Sequence, residues 1–263
     1  MKASALAVAL VSAAVLASAQ PAQERPTLLR DVGYDQRLGE QVPLDLVFRD
    51  EVGRLIPLRS LFRGRAMVLS LVYYQCPMLC TLTLNGLASA LSVLTFDVGK
   101  EFDVVTVSFE PKETAPLAAA KKKAHLERYP RPGAAEGWHF LTGDAPAIAA
   151  LTRAVGFRYV WDAETRQYAH PAGLVVLTPD GRIARYMYGV EYAPRDLRLA
   201  LVEASQRRIG NPVDTVLLYC YQYDPARGRY AASVLRLVRL GGILTVLGLA
   251  SFVLVSLRRE RAG

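Results

Sequence analysis

Metal-binding and cross-linking residues are scarce in this chain, which has three cysteines and three histidines among 263 residues. So few cysteines exclude a disulfide-stapled scaffold, and a chain of this length buries a sizeable core without staples. There is no Walker loop and no dinucleotide fingerprint, so nothing reads as a phosphate cradle. No internal repeat is present, which excludes a repeat architecture. Each of the few soft or ionisable ligands can therefore be weighed alone.

The two ends are apolar in different ways. Residues 1–19 read as a secretory signal: Lys2, an apolar stretch over 5–16, then Ala17-Ser18-Ala19 as a small-x-small cleavage site before Gln20. No cysteine stands at that point, which disfavours a lipid anchor. Residues 240–257 form an uncharged apolar run. At 1.5 Å per residue such a run spans about 27 Å, close to the ~30 Å hydrocarbon core. Arg236 and Arg239 precede it, and Arg258, Arg259 and Arg261 follow; arginines at helix ends snorkel to the headgroups. The expectation is a C-terminal transmembrane helix over 234–257, a cytoplasmic tail over 258–263, and a main domain on the extracytoplasmic (periplasmic) side of the cell membrane. The formal charge of +8 invites a nucleic-acid partner, but export argues against one, and several arginines belong to the membrane flanks. Lys121-Lys122-Lys123 reads as a solvated helix face.

Between the ends, a polar, proline-containing segment over 20–42 is expected to be flexible, and residues 211–233 form a juxtamembrane link. Residues 43–210 alternate strand-like and helix-like segments, the pattern of an α/β domain. Residues 66–74 are nearly all apolar, as suits a central strand covered on both faces. Residues 103–109 and 138–141 are further strands. Leu84, Leu87, Leu91 and Leu94 make one buried helical stripe, and residues 116–128 a helix with a basic face. Asp144 offers an N-cap to a helix over 146–155 that Gly156 stops. Pro179-Asp180-Gly181 reads as a hairpin turn between strands at 173–178 and 182–188. A last amphipathic helix is expected over 194–209, with Leu197, Leu201 and Ala204 inward.

Cys76-Pro77-Met78-Leu79-Cys80 stands where strand hands over to helix. Pro77 suits the first helical position, which places Cys76 at the N-cap, where free N–H groups favour a thiolate. Cys80 is four residues on, roughly 5–6 Å away between Cβ atoms, whereas a disulfide needs about 3.8 Å. The spacing therefore suits both a bridged pair and an open pair that holds one metal ion. A bridge closing so short a loop stabilises by only ~2 kcal/mol, so reactive or metal-binding chemistry is favoured over a staple. Among the histidines, His125 lies among lysines on what reads as an exposed face, and His139 reads as an ordinary strand histidine beside Trp138. His170, in Tyr168-Ala169-His170-Pro171, stands just before the strand that enters the hairpin.

The strand, the Cys76-Pro77-Met78-Leu79-Cys80 motif, the helix, His170 ninety residues beyond Cys80 and Thr178-Pro179-Asp180-Gly181 together resemble the Sco (SenC) family over about 44–208. Val107-Ser108-Phe109-Glu110-Pro111 is similar to the family's strand-end motif, with Glu110 where Asp is common. The resemblance implies a thioredoxin-like fold and a copper site made by Cys76, Cys80 and His170. It also implies one copper ion per chain, Cu(I) or Cu(II), with zinc as the competing ion for the same donors. The implied function is a membrane-tethered copper metallochaperone assisting assembly of the dinuclear copper centre of cytochrome c oxidase subunit II. Other copper chaperones or thiol reductants are its further implied partners. The alternatives are a thiol–disulfide oxidoreductase with Cys76 and Cys80 as the redox pair, and a copper or redox sensor.

Two features depart from the family pattern. Ala169, rather than Asp, precedes His170, so a carboxylate orienting the ring must come from elsewhere, with Asp162 the candidate. The tether is C-terminal rather than N-terminal, which changes reach and not chemistry. Met78 reads as packing, and Cys220, among Tyr219, Tyr221 and Tyr223, as an inert thiol.

Overall fold

The apolar run Ala66–Val72 forms a strand (β4) buried along its whole length. A computed structural model describes residues 31–209, 223–224, 229–230, 242–243, 245–246 and 249. Ahead of β4 come short strands β1 (Gly33–Tyr34), β2 (Val47–Arg49) and β3 (Leu55–Pro57), and a 3₁₀ turn at Leu58–Leu61. After it follow helix α1 (Leu79–Val93), β5 (Phe102–Ser108), α2 (Ala115–Arg128), the single turn α3 (Ala134–Gly137) and β6 (Trp138–Leu141). Helix α4 (Ala145–Ala154), β7 (Phe157–Arg158), β8 (Val160–Asp162) and β9 (Gln167–Ala169) lead to the hairpin β10 (Gly173–Leu177) and β11 (Ile183–Tyr188), then to α5 (Pro194–Ser205).

The central sheet has the order β11-β10-β4-β5-β6. Strands β4, β5 and β6 are parallel, while β10 runs antiparallel to both β4 and β11. Every residue of β5 is buried, including Asp103, Thr106 and Ser108. Each polar member has partners, as burial demands. Arg65 grips Asp103 through two nitrogens at 2.9 Å, and Thr106 Oγ1 accepts from Ser70 Oγ and Trp138 Nε1. Helix α1 packs against α2 and α5, and α5 covers β11, β10 and β4.

Local signals act where they stand. Asp144 caps α4 by accepting from the Ala147 N–H at 2.8 Å, and Gly156, at φ +62°, ends it. At the hairpin turn the Gly181 N–H donates to the Thr178 carbonyl at 2.9 Å, with Gly181 at φ +82°. Residues 33–42, read from sequence as part of the flexible lead, pair with and pack on the domain: β1 pairs with β7, and Val42 is fully buried.

Three expectations are corrected here. Helix α5 ends at Ser205, not 209, because Arg207 takes φ +56° and the N–H groups of Arg207 and Arg208 turn back to the carbonyls of Ala204 and Glu203. The Lys121-Lys122-Lys123 face is not wholly solvated, since Lys122 is largely buried in an ion pair with Glu51. His125 is not on an exposed face. It is 4 % exposed and stacks on the rings of Trp138 and Phe140, with centroids 5.9 Å away in each case.

Burial first, then Lys121 and Arg128, hold His125 down at about 4. An unfolded histidine titrates near 6.5, so below that pH the unfolded chain takes up a proton that the folded chain refuses. Stability is therefore lost as pH falls from about 6.5, by up to about 3 kcal/mol when pH reaches 4. His125→Phe keeps the stacked ring and removes this loss. Between pH 7.5 and 4.5 the unfolding free energy from urea titration should fall by about 2.5 kcal/mol less in the variant than in the wild type.

By contact, the chain divides into one unit over Thr27–Leu217, which holds the central sheet, and a second made of Met1–Pro26 and Leu218–Gly263. In the second unit Tyr223–Asp224 pairs with Arg229–Tyr230. No helix among the described residues is long and apolar enough to cross a membrane. The expected leader, Cys220 and all but a few residues of the expected span over 234–257 lie outside the described residues.

Candidate metal centre

At the C-terminal edge of β4 the chain turns sharply before α1. The Cys76 N–H returns to the Tyr73 carbonyl at 3.2 Å. The Tyr74 and Gln75 N–H groups donate to the two carboxylate oxygens of Glu113, each at 2.7 Å. This turn displaces the helix start: α1 begins at Leu79 with Met78 at its N-cap (φ −143°, ψ −68°), so Pro77 lies outside the helix and Cys76 is not the N-cap residue. Cys76 nonetheless serves the helix end, because its sulfur accepts the Cys80 N–H at 3.3 Å. Cys80 lies in the first turn, where its sulfur accepts the Tyr73 N–H at 3.3 Å.

His170 reaches the same place from the other side of the sheet order. Because β10 is antiparallel to β4, the segment leading into β10 lies at the edge where β4 ends. His170 Nε2 stands 3.3 Å from Cys80 Sγ. Rings of Phe109, Tyr73 and Phe157 wall the imidazole at 5.3, 5.7 and 6.3 Å between centroids. Its Nδ1 faces the Pro171 carbonyl at 3.0 Å. A carbonyl only accepts, so Nδ1 donates to it and Nε2 is the ring nitrogen turned toward the sulfurs. That carbonyl does what a preceding aspartate would do. Asp162 does not: its oxygens accept from the Glu164 N–H and Thr165 Oγ1 in its own turn.

Cys76, Cys80 and His170 are 8, 3 and 8 % exposed, both cysteines are free thiols, and the three donor atoms all lie within 4.8 Å of one another. The two thiols are electrostatically unlike. Cys76 is held well below the usual thiol range, first by its hydrogen bond with Cys80, then, against the cost of burial, by His170 and the N–H groups of Cys80 and Met78. Cys80 is pushed far up, first by burial and then by the Cys76 sulfur, with Glu113 adding to the effect. Of the two thiols, Cys76 is thus the one that gives up its proton more readily.

These donors fit a metal ion. A zinc-sized ion binds sulfur and nitrogen at about 2.0–2.3 Å, so donor pairs settle near 4 Å and closing the widest pair takes less than about 1 Å. Two sulfurs and one imidazole suit a soft or borderline ion such as copper or zinc. Among the described residues this is a group of cysteine and histidine donors that can hold one. His125 and His139 are not part of it; His139 Nε2 is buried on β6 and has no hydrogen-bond partner among the described residues. Met78 is 66 % exposed, so its thioether is not packed as expected. Sequence reasoning also missed Glu113, whose signal is only a glutamate three residues beyond Glu110 at the strand end.

A mixed α/β sheet with free cysteines at the start of its first long helix and a histidine at the same edge defines a thioredoxin-like domain with a soft-metal site. The chain belongs to the SCO1/SenC family, whose family model matches residues 48–204; that family is described as one of cytochrome c oxidase assembly proteins. A candidate copper-binding protein of Stutzerimonas stutzeri is 24% identical over 46% of this chain and 57% of its own length, so the chain spans about half of that curated relative. Among solved structures, a candidate electron transfer protein from Aquifex aeolicus VF5 is 28% identical, with a TM-score of 0.58 over 65% of this chain and 96% of its own. Arabidopsis thaliana ScoI, solved with copper bound, is 18% identical and shares the fold, with a TM-score of 0.50 over 62% of this chain and 96% of its own.

Proposed function

We propose that this protein is a copper metallochaperone, holding one copper ion through Cys76, Cys80 and His170 and helping to assemble the dinuclear copper centre of cytochrome c oxidase subunit II. The observation that carries the reading is the convergence of these three side chains, two of them ninety residues apart, on one point. Family membership and the copper-bound relative support it. Bound there, copper supplies an ion that a partner's own thiolates and imidazoles can take over by ligand exchange. The chain's part is to present soft donors, orient the imidazole through the Pro171 carbonyl, and keep water from the sulfurs with its aromatic wall. Three donors leave the coordination sphere under-filled, which favours release over permanent storage.

In the proposed arrangement residues 1–19 direct export, 43–210 carry the site, 234–257 tether it to the membrane and 258–263 face the cytoplasm. Copper titration of the full-length chain in detergent, followed by gel filtration and metal analysis, should give one copper per chain. A chain that elutes without copper under both reducing and oxidising conditions sinks the reading.

The unequal thiols favour one further reading, a thiol–disulfide oxidoreductase acting on the same oxidase site. The Cys76 thiolate attacks one sulfur of a partner disulfide and displaces a partner thiolate. Cys80, giving up its proton, then attacks Cys76, which releases the second partner thiolate. Two electrons pass to the partner, and this chain is left with a Cys76–Cys80 disulfide.

A further inference from the structure

Glu113 is a buried carboxylate, and its surroundings show what it is not. Among the described residues no cationic side chain pairs with it. Its three partners are the N–H groups of Tyr74 and Gln75, at 2.7 Å each, and Ser108 Oγ at 2.5 Å. The Ser108 oxygen accepts the Glu110 N–H at 3.1 Å, and of the two acceptors within reach of its hydrogen, Glu113 at 2.5 Å is nearer than the Glu110 carbonyl at 3.4 Å. All three neighbours are donors, and the group they surround is an acceptor carrying a whole negative charge. Its two oxygens take one backbone N–H each, which an amide with a single acceptor oxygen does not reproduce.

That charge sits one residue from a metal donor. Tyr74 N, which it meets at 2.7 Å, follows Tyr73 N, which meets Cys80 Sγ at 3.3 Å, and successive backbone nitrogens are at most about 3.6 Å apart, so the carboxylate lies within about 10 Å of that sulfur. Two thiolates and a neutral imidazole leave a Cu(I) site with net charge −1 and a Cu(II) site neutral. A fixed negative charge nearby favours the more positive ion.

We infer that Glu113 sets the oxidation-state preference of the centre, biasing it toward Cu(II) through its buried charge while it holds the turn that carries Cys76. The inference rests on the copper reading above and deepens it. At such a distance and an effective permittivity of about 20, one unit charge is worth at least about tenfold in the affinity ratio.

The test uses the full-length chain in detergent. Cu(I) affinity is measured against bicinchoninate and Cu(II) affinity against a glycine buffer, and the midpoint potential is read by optical titration. Glu113→Gln should lower the Cu(II)/Cu(I) affinity ratio about tenfold and raise the potential accordingly. Glu113→Asp keeps the charge but shortens its reach to the turn, so it should lose stability in urea while its ratio stays within about twofold of wild type. An unchanged ratio in the Gln variant overturns the inference. So does a tenfold fall in the Asp variant, which then attributes the effect to a loosened turn; if the Gln variant does not fold, the Asp result decides alone. A wild-type chain that takes up neither ion defeats the copper reading instead.

Discussion

Cys80→Ser should leave the purified chain with less than about a tenth of the copper that the wild type retains through gel filtration. Serine is nearly isosteric, so the first turn of α1 keeps its shape and the Tyr73 N–H still has an oxygen to meet. What changes is softness: a hydroxyl is a poor Cu(I) ligand and stays protonated where a thiolate would bind. Cys80 is the better of the two cysteines to change because its sulfur is the one that His170 approaches at 3.3 Å. Cys76→Ser should give the same loss, with the added consequence that no low-lying thiolate remains. Metal analysis that finds either variant loaded as well as wild type shows that the ligand set is wrong.

His170→Ala should lower copper affinity by at least about 100-fold, the upper end of what losing even an outer-shell partner costs. Removing the ring also empties a space walled by Tyr73, Phe109 and Phe157, which costs about 2–4 kcal/mol of stability by cavity formation. His170→Phe separates the two effects, because it refills the aromatic box without supplying a nitrogen. The copper loss should persist in the Phe variant while the stability loss shrinks. Thiol–disulfide exchange, followed with a small aromatic disulfide, should change by only a few-fold in both variants, since both sulfurs remain. Should copper affinity be untouched, the centre is a dithiol site and the reductase reading gains.

Much of this architecture was legible from residue patterns. The nearly all-apolar run at Ala66–Val72 announces a strand buried on both faces, whereas the buried Asp103, Thr106 and Ser108 of β5 carry no such signal and depend on partners from other segments. Asp144 and Gly181 act locally, so their roles could be read without any tertiary information. The helix start near Cys76 could not, because the groups that hold the preceding turn open come from Glu113, on the segment after β5. His125 misled for a related reason: its lysine neighbours describe one face of α2, whereas the ring lies against β6. Arg207 shows a third kind of miss, a helix stop in left-handed backbone made by a residue with no preference for it. The candidate site itself was legible as a motif plus a distant histidine, but the orienting partner of that histidine was not, since a backbone carbonyl leaves no signature in sequence.

The antiparallel pairing of β10 with β4 makes the donor trio a gauge of strand alignment. The residue opposite Leu174 is Ser70, and from that single pairing the imidazole inherits its position relative to both thiols. A slip by one residue would carry the ring about 3.3 Å along the strand and turn alternate side chains to the wrong face. Misfolded protein that keeps its secondary structure would then be unable to retain a thiophilic cation, so metal occupancy doubles as a quality check on how the chain has been threaded.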